Sequence, residues 1–542
     1  MAVDSTPVRR PILPIVLTIV LTLLVGTIFL WLRDTTPAIN DTIGYVYAAA
    51  RMAAGAGPTY ADVHNADIAP VFSMAAFQIQ RDGSDLMYLG FPPGYPALLA
   101  AAIALTGRTG AAHVVTPLLG ALAVAATALL GRYATGSWWR GWWAALIVAV
   151  MPDLWRFSTA AWSDVPSMLV ITLAAALFLA GRQRRGRAAI ALTLAAGLLL
   201  GYSIFLRYAN VVVLPAFAAY DLWQARRRIF TDWARYPFYI LAALGVLAVP
   251  VFNSVYYGGP LVTSYSPAHG WYPLPPFAWR YALGPSFIDG HSLIEMTRTV
   301  WRNLGFALIL VPLGWARLAR ANALLCILAA GATLALYSMY AFAPVGINSR
   351  FLLPAMPFLA VGAGHAIGDI GARLPRMGWR LAAGVALALL LAWPVPGLAR
   401  ELTARNEQYA ATAARARELA AATPDDAVLI AYALGDHLAF YGDRSILNYR
   451  RIPTSDPDLP GYHLEEVEPC LVQMVDRLLA DDTPVYYVED TAPPFWDSLA
   501  LLQRHFTLTR VRDELPLFQV TAPATPRAPD TPIPCPRLRP PA

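Results

Sequence analysis

Eleven long apolar stretches divide this chain, and they constrain its fold more than any other feature. Each is close to the ~20 residues that an α-helix needs to cross a bilayer. Charged residues make up 14% of the chain, against about 25% in soluble domains. The pattern predicts an α-helical polytopic membrane protein with about eleven transmembrane helices, at residues 11–32, 111–130, 141–158, 164–181, 188–206, 208–223, 237–257, 299–316, 322–343, 350–368 and 379–398.

The short apolar segment Gly94–Thr106 is predicted to lie in the membrane surface. Apolar segments of about 10–14 residues are more often interfacial or re-entrant than spanning. With this segment left out and the N-terminus in the cytoplasm, the short arginine-rich loops all fall on the cytoplasmic side, as the orientation rule for basic residues requires. The net charge of +6 therefore indicates membrane orientation and no nucleic-acid partner.

The same count places the C-terminal region outside the cytoplasm, after a transmembrane unit of residues 1–399 with large outer loops at 33–93 and 258–298. Residues 400–542 are polar and end in a proline-rich tail. Their pattern predicts a small α/β extracytoplasmic domain, in which Cys470 and Cys535 could form a disulfide. The expected strands are 427–431 and 485–488, and the expected helices are 464–479 and 495–505.

The first outer loop carries an acid at the head of a short amphipathic segment. Asp41 stands where a surface helix would begin, and Val46 and Tyr47 follow it at roughly helical spacing. An acid held at a membrane surface can act as a general base. An acid in the first turn of a helix also satisfies free backbone N–H groups, so Asp41 is either a base or a helix cap. Tyr45 on the same segment is a candidate substrate-binding residue.

Three more charged residues stand at the expected outer ends of spans. Asp164, in the sequence WSDVP, either caps a helix or faces Asp41 across the same surface. Arg207 joins two spans with almost no loop, so it either has a function or reaches to the headgroups. Arg350 begins a span against the orientation rule, and an arginine at a helix N-terminus suits a phosphate.

Two acids and two arginines near one interface suit a transfer reaction on a lipid phosphate. One acid would deprotonate an incoming hydroxyl, and an arginine would stabilise the leaving phosphate. Four segments support this reading, because in their order they resemble GT-C-fold glycosyltransferases that use polyprenyl-phosphate sugars, such as protein O-mannosyltransferases and aminoarabinose transferases of lipid A. The segments are Asp41 in its loop, FPPGYPALLA at 91–100, WSDVPSM at 162–168 and RFLLPAMPFLA at 350–360.

The resemblance implies a role for each of these charged residues. Asp41 would be the general base of an inverting transfer to an acceptor hydroxyl, Asp164 would shape the pocket, and Arg350 with Arg207 would hold the lipid phosphate. Many relatives place two acids together in the first loop, whereas this chain has Asn40, Asp41 and Thr42. A metal is therefore possible but not supported, since hard cations prefer several oxygen ligands, and no cofactor is expected.

The expected partners are a polyprenyl-phosphate sugar donor, an acceptor that is a glycan, lipid or protein, and the bilayer. His269, in the loop 258–298, either lines the acceptor side or is a solvated loop residue. Two other functions stay open. A transporter or flippase of lipid-linked sugars would show broken helices at mid-membrane and often inverted repeats. A non-catalytic cell-envelope assembly protein would tolerate substitution of Asp41 and Arg350.

Overall fold

A computed structural model of the chain shows a mainly helical protein with two small β-sheets. The structure describes residues 12–65, 72–80, 85–226, 231–263, 277–286, 291–373, 384–385, 393, 395–449, 464–490 and 497–522. The α-helices of this described part are α1 (Ile12–Trp31), α2 (Asn40–Ala53), α3 (Gly94–Thr106), α4 (Ala112–Thr135), α5 (Trp138–Ala149), α6 (Pro152–Ser158), α7 (Asp164–Arg182), α8 (Arg187–Leu206), α9 (Leu214–Ala225), α10 (Tyr236–Tyr256), α11 (Trp279–Leu283), α12 (Ser292–Leu304), α13 (Ala307–Trp315), α14 (Arg320–Ser338), α15 (Met356–Arg373), α16 (Val395–Ala421), α17 (Gly435–Gly442), α18 (Leu464–Ala480) and α19 (Ser498–His505).

Seven helical stretches of the described residues are long and apolar enough to cross a membrane. The prediction of a multi-pass helical membrane protein is therefore confirmed, and each of the seven corresponds to a predicted span. The stretches are Ile12–Trp31, Thr109–Thr135, Asp164–Arg182, Arg187–Leu206, Trp233–Tyr256, Arg320–Ser338 and Gly346–Arg373.

Three of the other predicted spans are broken into shorter pieces. The stretch 141–158 is divided between α5 and α6, where Pro152 begins a new helix. The stretch 208–223 begins as a 3₁₀ helix, Tyr208–Val213, before α9. The stretch 299–316 is interrupted at Gly305, whose φ of +51° ends α12. The last predicted span, 379–398, lies mostly outside the described residues.

The segment that was predicted to lie in the membrane surface forms α3, with the predicted bounds Gly94–Thr106. Gly107, in the left-handed region at φ +68°, ends the helix. Helix α3 packs against α2 and against the bundle helices α4 and α8. Helix α2 contacts the bundle where α7 begins, through the Tyr45 and Ser163 hydroxyls. We call this end of the bundle the site end.

Helices of the bundle approach one another closely where small residues meet. A Cβ added at Gly245 of α10 would lie 2.3 Å from the Cα of Gly201 on α8. Such close backbone contacts are typical of helices that associate in lipid, where small residues replace the hydrophobic effect as the source of packing energy.

Two sheets lie beyond the site end. The first outer loop forms an antiparallel sheet of β1 (Thr59–Ala61), β2 (Phe77–Gln80) and β3 (Leu86–Leu89), in the order β1-β3-β2. The C-terminal region forms a five-stranded mixed sheet in the order β5-β4-β6-β8-β7. Its strands are β4 (Val428–Ala431), β5 (Ser445–Asn448), β6 (Val485–Val488), β7 (Thr507–Arg510) and β8 (Leu517–Thr521).

The predicted α/β character of the C-terminal region is confirmed. Strand β4, at 428–431, lies within the predicted strand 427–431, and β6 has the predicted bounds 485–488. Helices α18 and α19 correspond to the two predicted helices. Strands β5, β7 and β8 were not predicted. Cys470 is buried in α18, but Cys535 lies outside the described residues, so the disulfide stays a prediction. Cys326 is a buried free thiol in α14.

Candidate active site

Four charged side chains form an alternating chain of acids and arginines at the site end. Arg350 Nη2 donates a hydrogen bond of 2.7 Å to the Asp41 carboxylate, and its Nε lies 3.3 Å from Asp164 Oδ2. The other oxygen of Asp164 accepts a hydrogen bond from Arg207 Nη1. The order is thus Asp41, Arg350, Asp164, Arg207, and we call this set the charge ladder. The structure therefore brings together four residues that lie as far as 309 positions apart in the sequence.

Each ladder residue comes from a different element, and three of the four lie at the end of an α-helix. Asp41 lies in the first turn of α2, and Asp164 is the first residue of α7. Arg207 follows the last residue of α8, and Arg350 lies in a 3₁₀ helix, Gly346–Ala355, that leads into α15. Helix ends, and the 3₁₀ segment that leads into α15, place polar groups where the chain leaves the apolar core, so they can gather charges that the interior of a spanning helix would not tolerate.

Thr42 forms side-chain hydrogen bonds at the start of the helix that carries Asp41. The hydroxyl of Thr42 donates to the carbonyl of Ile39 at 2.8 Å and accepts from the N–H of Ile39 at 3.3 Å. The Asp41 carboxylate instead takes the guanidinium of Arg350. The sequence left a base and a helix cap open for Asp41, and the observed contacts favour a role in the site.

Burial separates the two acids of the ladder. The Asp164 side chain is 1% exposed and is enclosed by two guanidinium groups, whereas the Asp41 side chain is 24% exposed. The side chains of Arg207 and Arg350 are 15% and 9% exposed. Asp41 is thus the more accessible acid of the ladder, and Asp164 is the acid that contacts both arginines.

Aromatic rings hold the two guanidinium groups in place. Arg350 lies 4.1 Å from the ring centre of Trp162, and both Arg350 and Arg207 lie within 5 Å of the ring centre of Phe351. Arg207 Nη2 also donates to the Tyr337 hydroxyl at 3.3 Å. Cations above aromatic faces are stabilised electrostatically, and the contacts restrict their rotation. These rings were not predicted from the sequence. Trp162 and Phe351 lie within the segments WSDVPSM and RFLLPAMPFLA that carry Asp164 and Arg350, whereas nothing in the sequence singles out Tyr337.

Tyr45 lies beside the ladder but is buried. Its hydroxyl is 3.1 Å from Ser163 Oγ, and its ring packs edge-on against Tyr95 at 4.9 Å. Burial raises the pKa of the Tyr45 hydroxyl above its ordinary value, and the nearby Asp41 carboxylate raises it further. Tyr45 therefore stays neutral and connects α2 to the beginning of α7. His269 lies outside the described residues.

The FPPGYP segment places α3 against the turn that carries Arg207. A Cβ added at Gly94 would lie 2.7 Å from the backbone carbonyl of Phe205, which is closer than real Cβ atoms come. The Tyr202 hydroxyl donates to the Gly94 carbonyl at 2.7 Å. Glycine is required at this position because of close backbone approach, so the segment supports the ladder from behind.

The donor set of the ladder does not suit a divalent cation. The carboxylates of Asp41 and Asp164 are bridged by Arg350, and a cation would have to replace that guanidinium. Within the ranges that the structure describes, no group of three His, Cys, Asp or Glu side chains could hold a metal ion. What the ladder offers is a partly exposed carboxylate next to two fixed guanidinium groups, which can accept a proton and bind an anion.

One family model matches part of the chain. Residues 94–258, from α3 to just after α10, match the family model of dolichyl-phosphate-mannose-protein mannosyltransferases. This part of the chain contains Asp164 and Arg207. A search of curated proteins finds no match to the sequence.

Solved structures match over nearly the whole chain. ArnT from Cupriavidus metallidurans bound to undecaprenyl phosphate is 15% identical, with a TM-score of 0.56, over 95% of this chain and 99% of that one. The apo form of the same protein gives 15% identity and a TM-score of 0.56, over 93% and 97%. An Archaeoglobus fulgidus oligosaccharyltransferase tethered with an acceptor peptide is 14% identical, with a TM-score of 0.55, over 87% and 69%.

The chain therefore has the GT-C fold of membrane glycosyltransferases, as the resemblance implied. The likeness at 14–15% identity establishes the fold. Whether the ladder performs the chemistry of that class has to be argued from its own geometry.

Proposed function

We propose that this protein is a membrane glycosyltransferase that moves a sugar from a polyprenyl-phosphate donor to an acceptor hydroxyl on the extracytoplasmic side. The observation that carries the proposal is the charge ladder. It sets a partly exposed carboxylate beside two fixed guanidinium groups at the site end of the bundle. The similar fold of a protein bound to undecaprenyl phosphate supports a lipid-linked donor.

The donor phosphate would bind Arg350 and Arg207. Guanidinium groups bind phosphate oxygens through paired N–H donors, and both arginines are oriented in advance by Asp164 and Phe351. Preorganised donors cost little reorganisation when charge develops on the leaving group. Asp164 is in this scheme a positioning residue, because 1% exposure leaves it no surface for substrate.

Asp41 would act as the general base. A phosphate on Arg350 competes with Asp41 for the same Nη2 group, so donor binding loosens the contact that now occupies the Asp41 carboxylate. The acceptor oxygen then attacks the anomeric carbon, its proton passes to Asp41, and the bond from the anomeric carbon to the phosphate oxygen breaks. The phosphate leaves with the electron pair and remains paired with the arginines. One such displacement inverts the anomeric configuration.

We further propose that the N-terminus is cytoplasmic, that the outer loops and the C-terminal domain bind the acceptor, and that no metal is needed. The arginine-rich short loops support the orientation. The bridging of Asp41 and Asp164 by Arg350 supports the last point, since the acids already have a cationic partner. Chelation with EDTA is expected to leave transfer unchanged.

The test compares Asp41→Asn with wild type in purified protein, using radiolabelled polyprenyl-phosphate sugars as donors. General bases contribute about 10²–10⁴-fold, so transfer is expected to fall by that factor while undecaprenyl phosphate still binds. Asp62→Asn is the matched control. Asp62 lies in the same outer loop, and its oxygens accept hydrogen bonds from Tyr60 and Ser445 away from the ladder.

Two results would count against the proposal. If Asp41→Asn transfers sugar as fast as wild type, Asp41 is not the base. If wild type neither binds nor turns over any donor of a panel of polyprenyl-phosphate pentoses and hexoses, the activity itself is wrong.

A further inference from the structure

The C-terminal domain contacts the first outer loop both before and after α2, the helix that carries Asp41. Before α2, the Tyr441 hydroxyl of α17 donates a hydrogen bond of 2.7 Å to the carbonyl of Pro37. This carbonyl lies four residues ahead of Asp41. Along α2, the ring of Tyr47 packs against Phe440, with ring centres 6.2 Å apart.

A second attachment lies after α2, at residues 72–77, which we call the docking segment. The backbone N–H of Asn448, at the end of β5, donates to the carbonyl of Phe72 at 2.7 Å. The carboxylate of Asp436 accepts the N–H of Ala75 at 2.9 Å and the side-chain amide of Asn448 at 2.7 Å. The Phe72 side chain is fully buried among residues of the domain core. The docking segment is therefore fixed to the C-terminal domain by both hydrogen bonds and apolar packing.

The docking segment in turn presses on α2 close to the ladder. A Cβ added at Gly44 would lie 2.2 Å from the Cβ of Ala76, so the backbone of α2 touches the docking segment there. Gly44 lies one helical turn after Asp41 on the same helix. A continuous series of contacts therefore runs from β5 and α17 of the domain, through the docking segment and Pro37, to the helix that presents Asp41.

We infer that the C-terminal domain positions the proposed base, and that Tyr441 is a positioning residue acting through Pro37 and α2 on Asp41. This inference rests on the proposed function, and it adds a task for the domain besides acceptor binding. A short surface helix has little stability of its own, since most helical stability comes from packing. Helix α2 packs on the bundle through α3 and on the domain through α17, so the angle of its first turn depends on both.

The experiment uses Tyr441→Phe in the full-length protein, because this change removes one hydroxyl and leaves the ring. Tyr487→Phe is the matched control. The Tyr487 hydroxyl lies 3.0 Å from Ser498 Oγ inside the same domain, so its loss costs a comparable hydrogen bond without touching α2. Two quantities are measured: amide hydrogen exchange in peptides covering residues 40–53, and the turnover number at saturating donor beside the affinity for undecaprenyl phosphate.

We expect Tyr441→Phe to speed exchange in α2 by on the order of fivefold, the factor that corresponds to the loss of one hydrogen bond. Turnover should fall by a similar factor or more, since small displacements of a base are costly. Affinity for undecaprenyl phosphate should stay within about twofold, because the hydroxyl of Tyr441 bonds to Pro37 and not to Arg207 or Arg350. Tyr487→Phe should leave all three quantities as in wild type.

Equal α2 exchange in Tyr441→Phe, Tyr487→Phe and wild type would overturn the inference, and so would equal turnover in an active protein. If Tyr441→Phe fails to fold, Phe440→Leu removes the neighbouring ring contact, and the same increase in α2 exchange is expected; its absence would also overturn the inference. Hydrogen exchange does not require activity. If Tyr441→Phe speeds exchange in α2 as expected but the wild-type protein transfers no sugar, the proposed function alone is refuted.

Discussion

Replacing Arg350 with lysine tests whether the ladder binds phosphate through a fixed fork. Arg350 uses three nitrogen atoms at once: Nη2 contacts Asp41 at 2.7 Å, Nη1 donates to the Ile347 carbonyl at 3.1 Å, and Nε lies 3.3 Å from Asp164. A lysine ammonium is one nitrogen on a flexible stem. Arg350→Lys therefore keeps the charge but cannot bridge both acids or offer two parallel donors to a phosphate.

The expected loss follows from the number of donors removed. A phosphate that takes two N–H groups from arginine keeps one from lysine, and a hydrogen bond to a charged group contributes about 1.5–3 kcal/mol. At 1.4 kcal/mol for each factor of ten, undecaprenyl phosphate should bind about 10- to 150-fold more weakly. The retained charge keeps Asp164 paired with a cation, so the protein should still fold.

The assay measures affinity for undecaprenyl phosphate in detergent beside the midpoint of thermal unfolding. Arg182→Lys is the matched control, because Arg182 makes a two-pronged contact with Asp221 at 2.6 and 2.8 Å at the opposite end of α7, about 27 Å away at 1.5 Å per residue. Arg182→Lys should lower stability and leave affinity unchanged. If the two variants weaken lipid binding equally, or if Arg350→Lys binds as wild type, the phosphate role of Arg350 is refuted.

Two further predictions concern residues outside the ladder, Asp34 and Gly94. Burial raises the pKa of Asp34 from 3.8 to about 6, so its contribution to stability is complete below pH 3.8 and is lost as the pH rises through about 6. The unfolding temperature of wild type should therefore fall between about pH 4 and pH 7 more than that of Asp34→Asn, and parallel curves would contradict this. A Cβ at Gly94 would strike the Phe205 backbone at 2.7 Å, so Gly94→Ala should cost about 1–3 kcal/mol and weaken lipid binding through Arg207, whereas Gly110→Ala, with no atom within 4 Å of the added carbon, should behave as wild type in the same measurements.

The membrane fold could be predicted from the sequence because bilayer thickness sets the length of each apolar segment and the basic residues of each loop set its orientation. Helix α3 has the predicted bounds Gly94–Thr106, since its prolines and Gly107 are local signals for where a helix begins and ends. The breaks at Met151 and Gly305 were missed. Each lies inside an apolar stretch of spanning length, and hydropathy alone does not register a change of backbone direction there.

The members of the charge ladder could be predicted from the sequence, but their pairing could not. Asp164, Arg207 and Arg350 stand out in the sequence because each is a charge at the expected outer end of a span, where a charge needs a reason. Asp41 stands out as an acid at the head of an amphipathic segment in the first outer loop. Their pairing was not visible, since Asp41 and Arg350 lie 309 positions apart. For the same reason Asp41 could be read as a helix cap, a role that Thr42 fills in the structure.

The difference in exposure between Asp164 and Asp41 assigns them different tasks, which residue type alone could not do. Two guanidinium groups held near the membrane before any phosphate arrives would repel one another, and burial would make that repulsion costly. Asp164, enclosed between Arg207 and Arg350, removes this cost permanently. Asp41 pairs with Arg350 at the more exposed side of the ladder. In the proposed mechanism Asp41 is therefore the acid that exchanges its partner for a substrate, while the two arginines stay in place.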